Sequence, residues 1–122
     1  MKKENQQKLF AKLQKMAKRD VPFWEQMEAH RIHDSNPDTH AKTNIPLWNL
    51  SCTKRDLSMY VNHGMKPNRH WRVSDVKHYF GIKGNGENLL NNFLEIYDII
   101  IPLFLPTSYE ENYPEKWKEL NK

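Results

Sequence analysis

WRVSDVKHYFGIKGNGENLLNNFLEIY, residues 71–97, reads as two short helices joined by a tight turn punctuated by glycine. Val73, Val76 and Phe80 recur at spacings of three and four, which places them on one helix face. Ser74 is read as the cap of that helix and Gly81 as its stop, since glycine readily takes the left-handed backbone that closes a helix. Ile82 supplies the apolar contact that follows such a stop. The second helix is expected from near Asn85, which can cap it, and carries Leu89, Leu90, Phe93, Leu94 and Tyr97. The spacing thus predicts helices over 74–80 and about 86–97, packed through Val76, Phe80, Leu90, Phe93 and Leu94. Lys83 directly precedes the start of the second helix, and Lys77 lies one helix away.

Outward from this unit the patterns stay helical. Residues 4–19 put Leu9, Phe10, Leu13, Met16 and Ala17 on one face and lysines on the other. Asp20 is expected to cap a helix over 22–33, with Pro22 in its first turn and Phe23, Trp24, Met27 and Ile32 facing inward. Residues 34–50 hold two prolines and many turn formers, and read as a loop pinned by Ile45, Leu47 and Trp48. A helix over about 54–63 is expected, with Thr53 as cap and Gly64 as stop. Residues 66–70 form a short basic linker. The second helix of the central unit extends towards Ile99–Ile101 until Pro102 ends it. Residues 102–113 read as a proline-bounded loop, and 114–121 as a short helix around Trp117. Asn85-Gly86 lies between helical patterns, not between alternating strands, so it is no hairpin signal. The expected fold class is all-α: a basic amphipathic helical arm over 1–20 and a single small helical domain over 21–122.

Composition bounds the function. The chain has 122 residues, 38% of them hydrophobic, and a mean hydropathy of −0.91. A domain of this size buries roughly two-thirds of its unfolded surface, and four Trp, five Tyr and five Phe must supply most of the bulk. The single cysteine, Cys52, has no partner within the chain, which excludes a disulfide scaffold and fits a reducing compartment. The basic N-terminus lacks the apolar region of a secretory signal. The longest apolar run, Ile99–Leu105, is broken by Pro102 and is far shorter than the ~20 residues of a membrane span. A cytoplasmic location is therefore expected, with no membrane partner.

The net charge of +4 is unevenly placed. Residues 1–20 hold seven Lys/Arg against two acids. Residues 66–83 hold Lys66, Arg69, Arg72, Lys77 and Lys83 against Asp75 alone. Such clustering is the electrostatic footprint of a polyanion binder, although solvated helix faces also carry charge runs. Fourteen lysines against five arginines, with abundant Asn, point to an AT-rich genome such as many bacteria and phages have.

The central unit resembles the SAP family and its helix-extended-loop-helix relatives. The residues that carry the likeness are Val73, Ser74, Val76 and Lys77, then Gly81-Ile82, then Gly84, then Leu89, Leu90, Phe93 and Leu94. The likeness covers about 27 of the 122 residues. The turn Lys83-Gly84-Asn85-Gly86 is about two residues shorter than is usual in the family. Gly86 and Glu87 stand where the family commonly has a basic residue. The resemblance implies binding of DNA, often AT-rich, or of RNA, through the helix turn and its flanking basic residues.

Other constellations carry less. His30 and His33 share a helix face, with Asp34 and His40 further on, and imidazole suits transition metals. No complete ligand template such as His-Glu-x-x-His is present, so no metal and no other cofactor is expected. Cys52 has His63 and His70 downstream but no signature of a nucleophile. Glu110-Glu111 and Glu25 with Glu28 form no acid/base pair with a pocket. Gly84-Asn85-Gly86 lacks the strand and downstream lysine of a phosphate loop. Trp71, between Arg69 and Arg72, is expected to pack under the bihelical unit, its alternative being to stack on a base.

The function expected from all this is nucleic-acid binding without catalysis, DNA being the favoured partner. Arg69, Arg72, Lys77 and Lys83 would hold phosphates, with Asn85 at the start of the second helix, and the N-terminal helix would add sequence-independent attraction. The alternative is a small structural or assembly protein, such as a phage virion component or a subunit of a larger complex. It would bind a partner chain through helix 4–19 and the aromatic stretches 45–48 and 102–117. A metal-dependent nuclease built on His30, His33, Asp34 and His40 is the third class. In a phage setting the location would be host cytoplasm or virion.

Overall fold

The fold is taken from a computed structural model, which describes residues 3–33 and 45–121, and of 30–33 the backbone alone. Among the described residues the chain is all-helical, without strands: α1 Lys3–Met16, α2 Pro22–His33, α3 Ile45–His63, α4 Val73–Phe80, α5 Glu87–Phe104, α6 Pro106–Asn112 and α7 Pro114–Leu120. They divide into two compact units. One comprises Lys18–Leu94. The other comprises Met1–Ala17 with Glu95–Lys122, so α1, read from the sequence as an arm, groups with the C-terminal segment.

Several boundaries differ from the sequence reading. Helix α3 starts at Ile45, inside the expected loop, so Thr53 is an interior residue and not its cap. Pro46 sits at the second helical position, where a missing N–H costs nothing, and Leu47, Leu50 and Leu57 are buried along the helix. Asp20 does not cap α2. It has a φ of +63°, and the Val21 carbonyl takes the first helical bond, from the Glu25 N–H. Ser74 lies inside α4, whose N-cap is Arg72 in extended backbone without a side-chain cap bond. Helix α5 runs through Pro102 to Phe104. Proline has no N–H for the Asp98 carbonyl, but Ile99–Ile101 and Pro102 are all buried, and packing overrides the lost bond. Residues 106–112 are helical too, with Pro106 at the first position.

In the unit Lys18–Leu94, α2 packs against both α3 and α4. Its Phe23 is fully buried, with ring centroids 5.0 Å from Trp24, 5.0 Å from Phe80 and 6.0 Å from Tyr79. Phe80 in turn meets Phe93 of α5 edge-on at 5.2 Å. One polar tie crosses this packing. Asn49 of α3 donates to the Tyr79 hydroxyl at 3.0 Å, and that hydroxyl donates to Gln26 of α2. Burial raises the Tyr79 phenol above its ordinary value, and the bond from Asn49 pulls the other way.

The buried stripe of α5 in this unit is Leu89 and Phe93, whereas Leu90 and Leu94 are half-buried. The expected packing through Leu90 and Leu94 is corrected accordingly: the helix is turned so that 89 and 93, four apart, face the core. Leu89→Ala should thus destabilise more than Leu90→Ala, by about 1 kcal/mol or more, within the ~2–5 kcal/mol range of buried leucines. Paired urea melts of the two variants test the order.

In the other unit, α1, residues 95–104 of α5, α6 and α7 come together. Asn5 donates to the Leu120 carbonyl. Tyr109 is buried, 5.2 Å from Tyr113 and 6.5 Å from Trp117, and its hydroxyl donates to Asp98 at 3.4 Å. Asp98 also pairs with Lys116 at 3.6 Å. The Tyr97 and Tyr109 phenols are raised well above their ordinary value, chiefly by burial. Glu110 and Glu111 are exposed on α6.

Candidate nucleic-acid interface

The turn between α4 and α5 contains three glycines at positive φ, and two of them are also held in close contacts. Gly81 ends α4 at φ +65° and ψ 38°, and its N–H and that of Ile82 both reach the Lys77 carbonyl. A Cβ there would lie 2.7 Å from Cγ2 of Val21, a stiff β-branched side chain. Both the backbone and the close approach require glycine. Gly81→Ala should cost about 2 kcal/mol or more, from left-handed strain plus the clash, readable as a lowered denaturation midpoint. Gly84, at φ +113°, lets the turn approach the first turn of α5, where a Cβ would stand 3.1 Å from the Leu89 nitrogen. The Asn92 side chain donates to the Lys83 carbonyl at 2.7 Å and ties the turn to α5.

These constraints place three of the expected site residues together. The Lys77 ammonium donates to Oδ1 of Asn85 at 2.8 Å across the turn. Lys83 is exposed within it. Asn85 does not cap α5, because the helix begins two residues later, at Glu87, and the Gly86 carbonyl takes its first bond from the Leu90 N–H. Asn85 instead orients Lys77. That lysine is half-buried, as a side chain lying along its helix tends to be.

The two arginines lie at the other end of α4, which is about 12 Å long at ~1.5 Å per residue. Arg72 is exposed at its N-cap. Arg69 is exposed and donates to the His70 ring at 3.4 Å. The linker turns around Asn68, whose side chain takes the His70 N–H at 2.9 Å and whose carbonyl takes the Trp71 N–H at 3.3 Å. Trp71 lies against Tyr60 of α3, with centroids 5.0 Å apart. The interface therefore has two cationic ends joined by α4. Asp75 in the first turn of α4 and Glu87 in the first turn of α5 are the acids within it.

Sequence reasoning missed Lys18, whose ammonium donates to the Gly81 carbonyl at 3.2 Å. A cation at a helix C-terminus is favourable, but nothing in the local pattern links residues 63 apart in the chain.

The remaining constellations resolve differently. Cys52 is half-buried in α3. His63 ends the same helix eleven residues on, about 16 Å away by helix rise. Among the described residues no group of three His, Cys, Asp or Glu is placed to hold a metal. The His30, His33, Asp34 and His40 set lies outside the described side chains. Among the described residues no single helix is long and apolar enough to cross a membrane. No family model, curated protein or solved structure matches the chain.

Proposed function

We propose that the protein binds nucleic acid, DNA in the first instance, by gripping phosphates along the α4–α5 unit. The observation that carries this reading is the cationic turn, in which Lys77 is held by Asn85 beside exposed Lys83. An ammonium already oriented loses less freedom when it meets a phosphate. Arg72 and Arg69 extend the contact along α4, and the peptide N–H groups opening α5 add donors suited to an anion. The likeness to SAP-type units supports the same assignment. Contacts of this kind position the protein without reading sequence. The reading has no catalytic step.

The test is fluorescence anisotropy of a labelled duplex and a labelled single strand, titrated with the full chain at several salt concentrations. The proposal expects binding that weakens steeply with salt, each phosphate contact adding about −0.7 to −0.9 to the log–log slope. Binding that is absent at low salt would rule it out.

A second reading is supported by one face of α3. Ile45, Trp48 and Met59 are exposed there, Trp48 by 71%, at spacings that place them on one side of the helix. Such a face suits a partner chain in an assembly, a virion component being one setting. On that reading Trp48→Ala removes co-assembly and leaves any duplex affinity unchanged.

A further inference from the structure

The charge of α1 marks it as a second polyanion-binding element, and its surroundings argue otherwise. Residues 1–17 carry five lysines against Glu4, while residues 95–122 carry six acids against three lysines. These oppositely charged segments form one compact unit. Within it lies a cleft of about 740 Å³, where Lys12 and Lys15 of α1 face Glu95 and Asp98 of α5 and Glu119 of α7. The floor is apolar, with Leu9 and Ile99 both buried. Neither Lys12 nor Lys15 makes an ion pair within the described residues, whereas Lys116 pairs with Asp98 at 3.6 Å. The carboxylates line the same cleft as the α1 lysines, and charges within the ~8–10 Å screening length of moderate salt act on one another through space.

We infer that the acidic C-terminal segment masks Lys12 and Lys15 of α1, so that these two lysines are withheld from the polyanion that the α4–α5 unit holds. An approaching phosphate meets Lys12 and Lys15 together with Glu95 and Glu119, whose repulsion offsets the attraction. The α4–α5 turn carries Glu87 at the start of α5 but no such acidic segment in its own sequence, and Lys77 and Lys83 remain effective. The inference rests on the proposed nucleic-acid binding and sets which lysines take part in it. It also gives the fold a built-in inhibitory device: neutralising or displacing the acidic segment frees these two lysines.

The experiment is a four-way comparison on the full chain, reading anisotropy of a labelled DNA duplex across salt. The chains are the unsubstituted protein, Glu95→Gln with Glu119→Gln, Lys12→Gln with Lys15→Gln, and all four changes together. All four side chains are exposed, and a thermal melt of each chain checks that the fold is kept. Removing the two acids should tighten binding about three- to tenfold at low salt and steepen the slope by about one to two, the value of two phosphate contacts. Removing the two lysines from the otherwise unsubstituted chain should weaken binding by less than about twofold, and in the combined variant it should cancel the gain. Unchanged affinity in the Glu95→Gln, Glu119→Gln variant overturns the masking. So does a large loss on Lys12→Gln, Lys15→Gln alone, which would make α1 a working contact. Absence of salt-dependent binding by the unsubstituted chain instead removes the functional reading itself.

Discussion

Replacing Phe93 by Ala should destabilise the protein by about 3–5 kcal/mol, a large share of the ~5–15 kcal/mol that holds a domain of this size together. Phe93 has no exposed surface, and its ring meets Phe80 at 5.2 Å. Phe80 meets Phe23 at 5.0 Å, and Phe23 is likewise fully buried. The three rings thus join α5, α4 and α2 in series. Truncating the ring at the α5 end leaves a void in the buried core. The melting temperature should fall by more than about 10 °C. Phe10→Ala, at a ring 40% exposed on α1, should cost under about 1 kcal/mol. Thermal and urea melts of the two variants check both values. A Phe93→Ala protein as stable as the Phe10→Ala protein would mean that the ring series is not the core.

The all-α class was legible because apolar spacing of three and four runs through almost every segment. Helix α4 and the stop at Gly81 were legible for a sharper reason: the left-handed position and the following Ile82 leave a local signature. Prolines misled the reading of 45–50 and 102–112, while the rest of the expected loop, 34–44, lies outside the described residues. Pro22, Pro46, Pro106 and Pro114 all sit in the first turn of a helix. Proline is a breaker in a helix interior and a starter at its beginning, and only packing on either side shows which. Pro102 is the reverse case, an interior proline kept because the surrounding isoleucines are buried. The face of α5 was misjudged by one position because Leu89-Leu90 and Phe93-Leu94 are adjacent apolar pairs, so either register gives a credible stripe. Within the candidate site, the turn and its lysines could be found from sequence. The pairing of Lys77 with Asn85 and the reach of Lys18 to Gly81 could not, because both depend on how the chain closes on itself.

Replacing Lys77 and Lys83 together by Ala should flatten the slope of log affinity against log salt by roughly one to two, and weaken duplex binding about tenfold at low salt. Lys83 is exposed, so its removal should leave stability unchanged. Lys77 is half-buried and bonded to Asn85, so its loss should also cost stability, about 1 kcal/mol for one exposed hydrogen bond and some packing. The separation of effects is itself informative. Asn85→Ala releases Lys77 without removing its charge, so it should weaken affinity slightly and leave the salt slope unchanged. A slope that stays the same in the double-lysine variant would mean that the cationic turn holds no phosphate.

The most direct test is to follow the backbone amides of the isotope-labelled full chain by nuclear magnetic resonance while a short DNA duplex is added at low salt. Binding through the α4–α5 unit predicts shifts concentrated at residues 69–72, 77 and 82–87, reversing together when salt is raised, with α1 and the face of α3 bearing Ile45, Trp48 and Met59 unmoved. Shifts confined to residues 45–59, or a spectrum unaffected by the duplex, would contradict it.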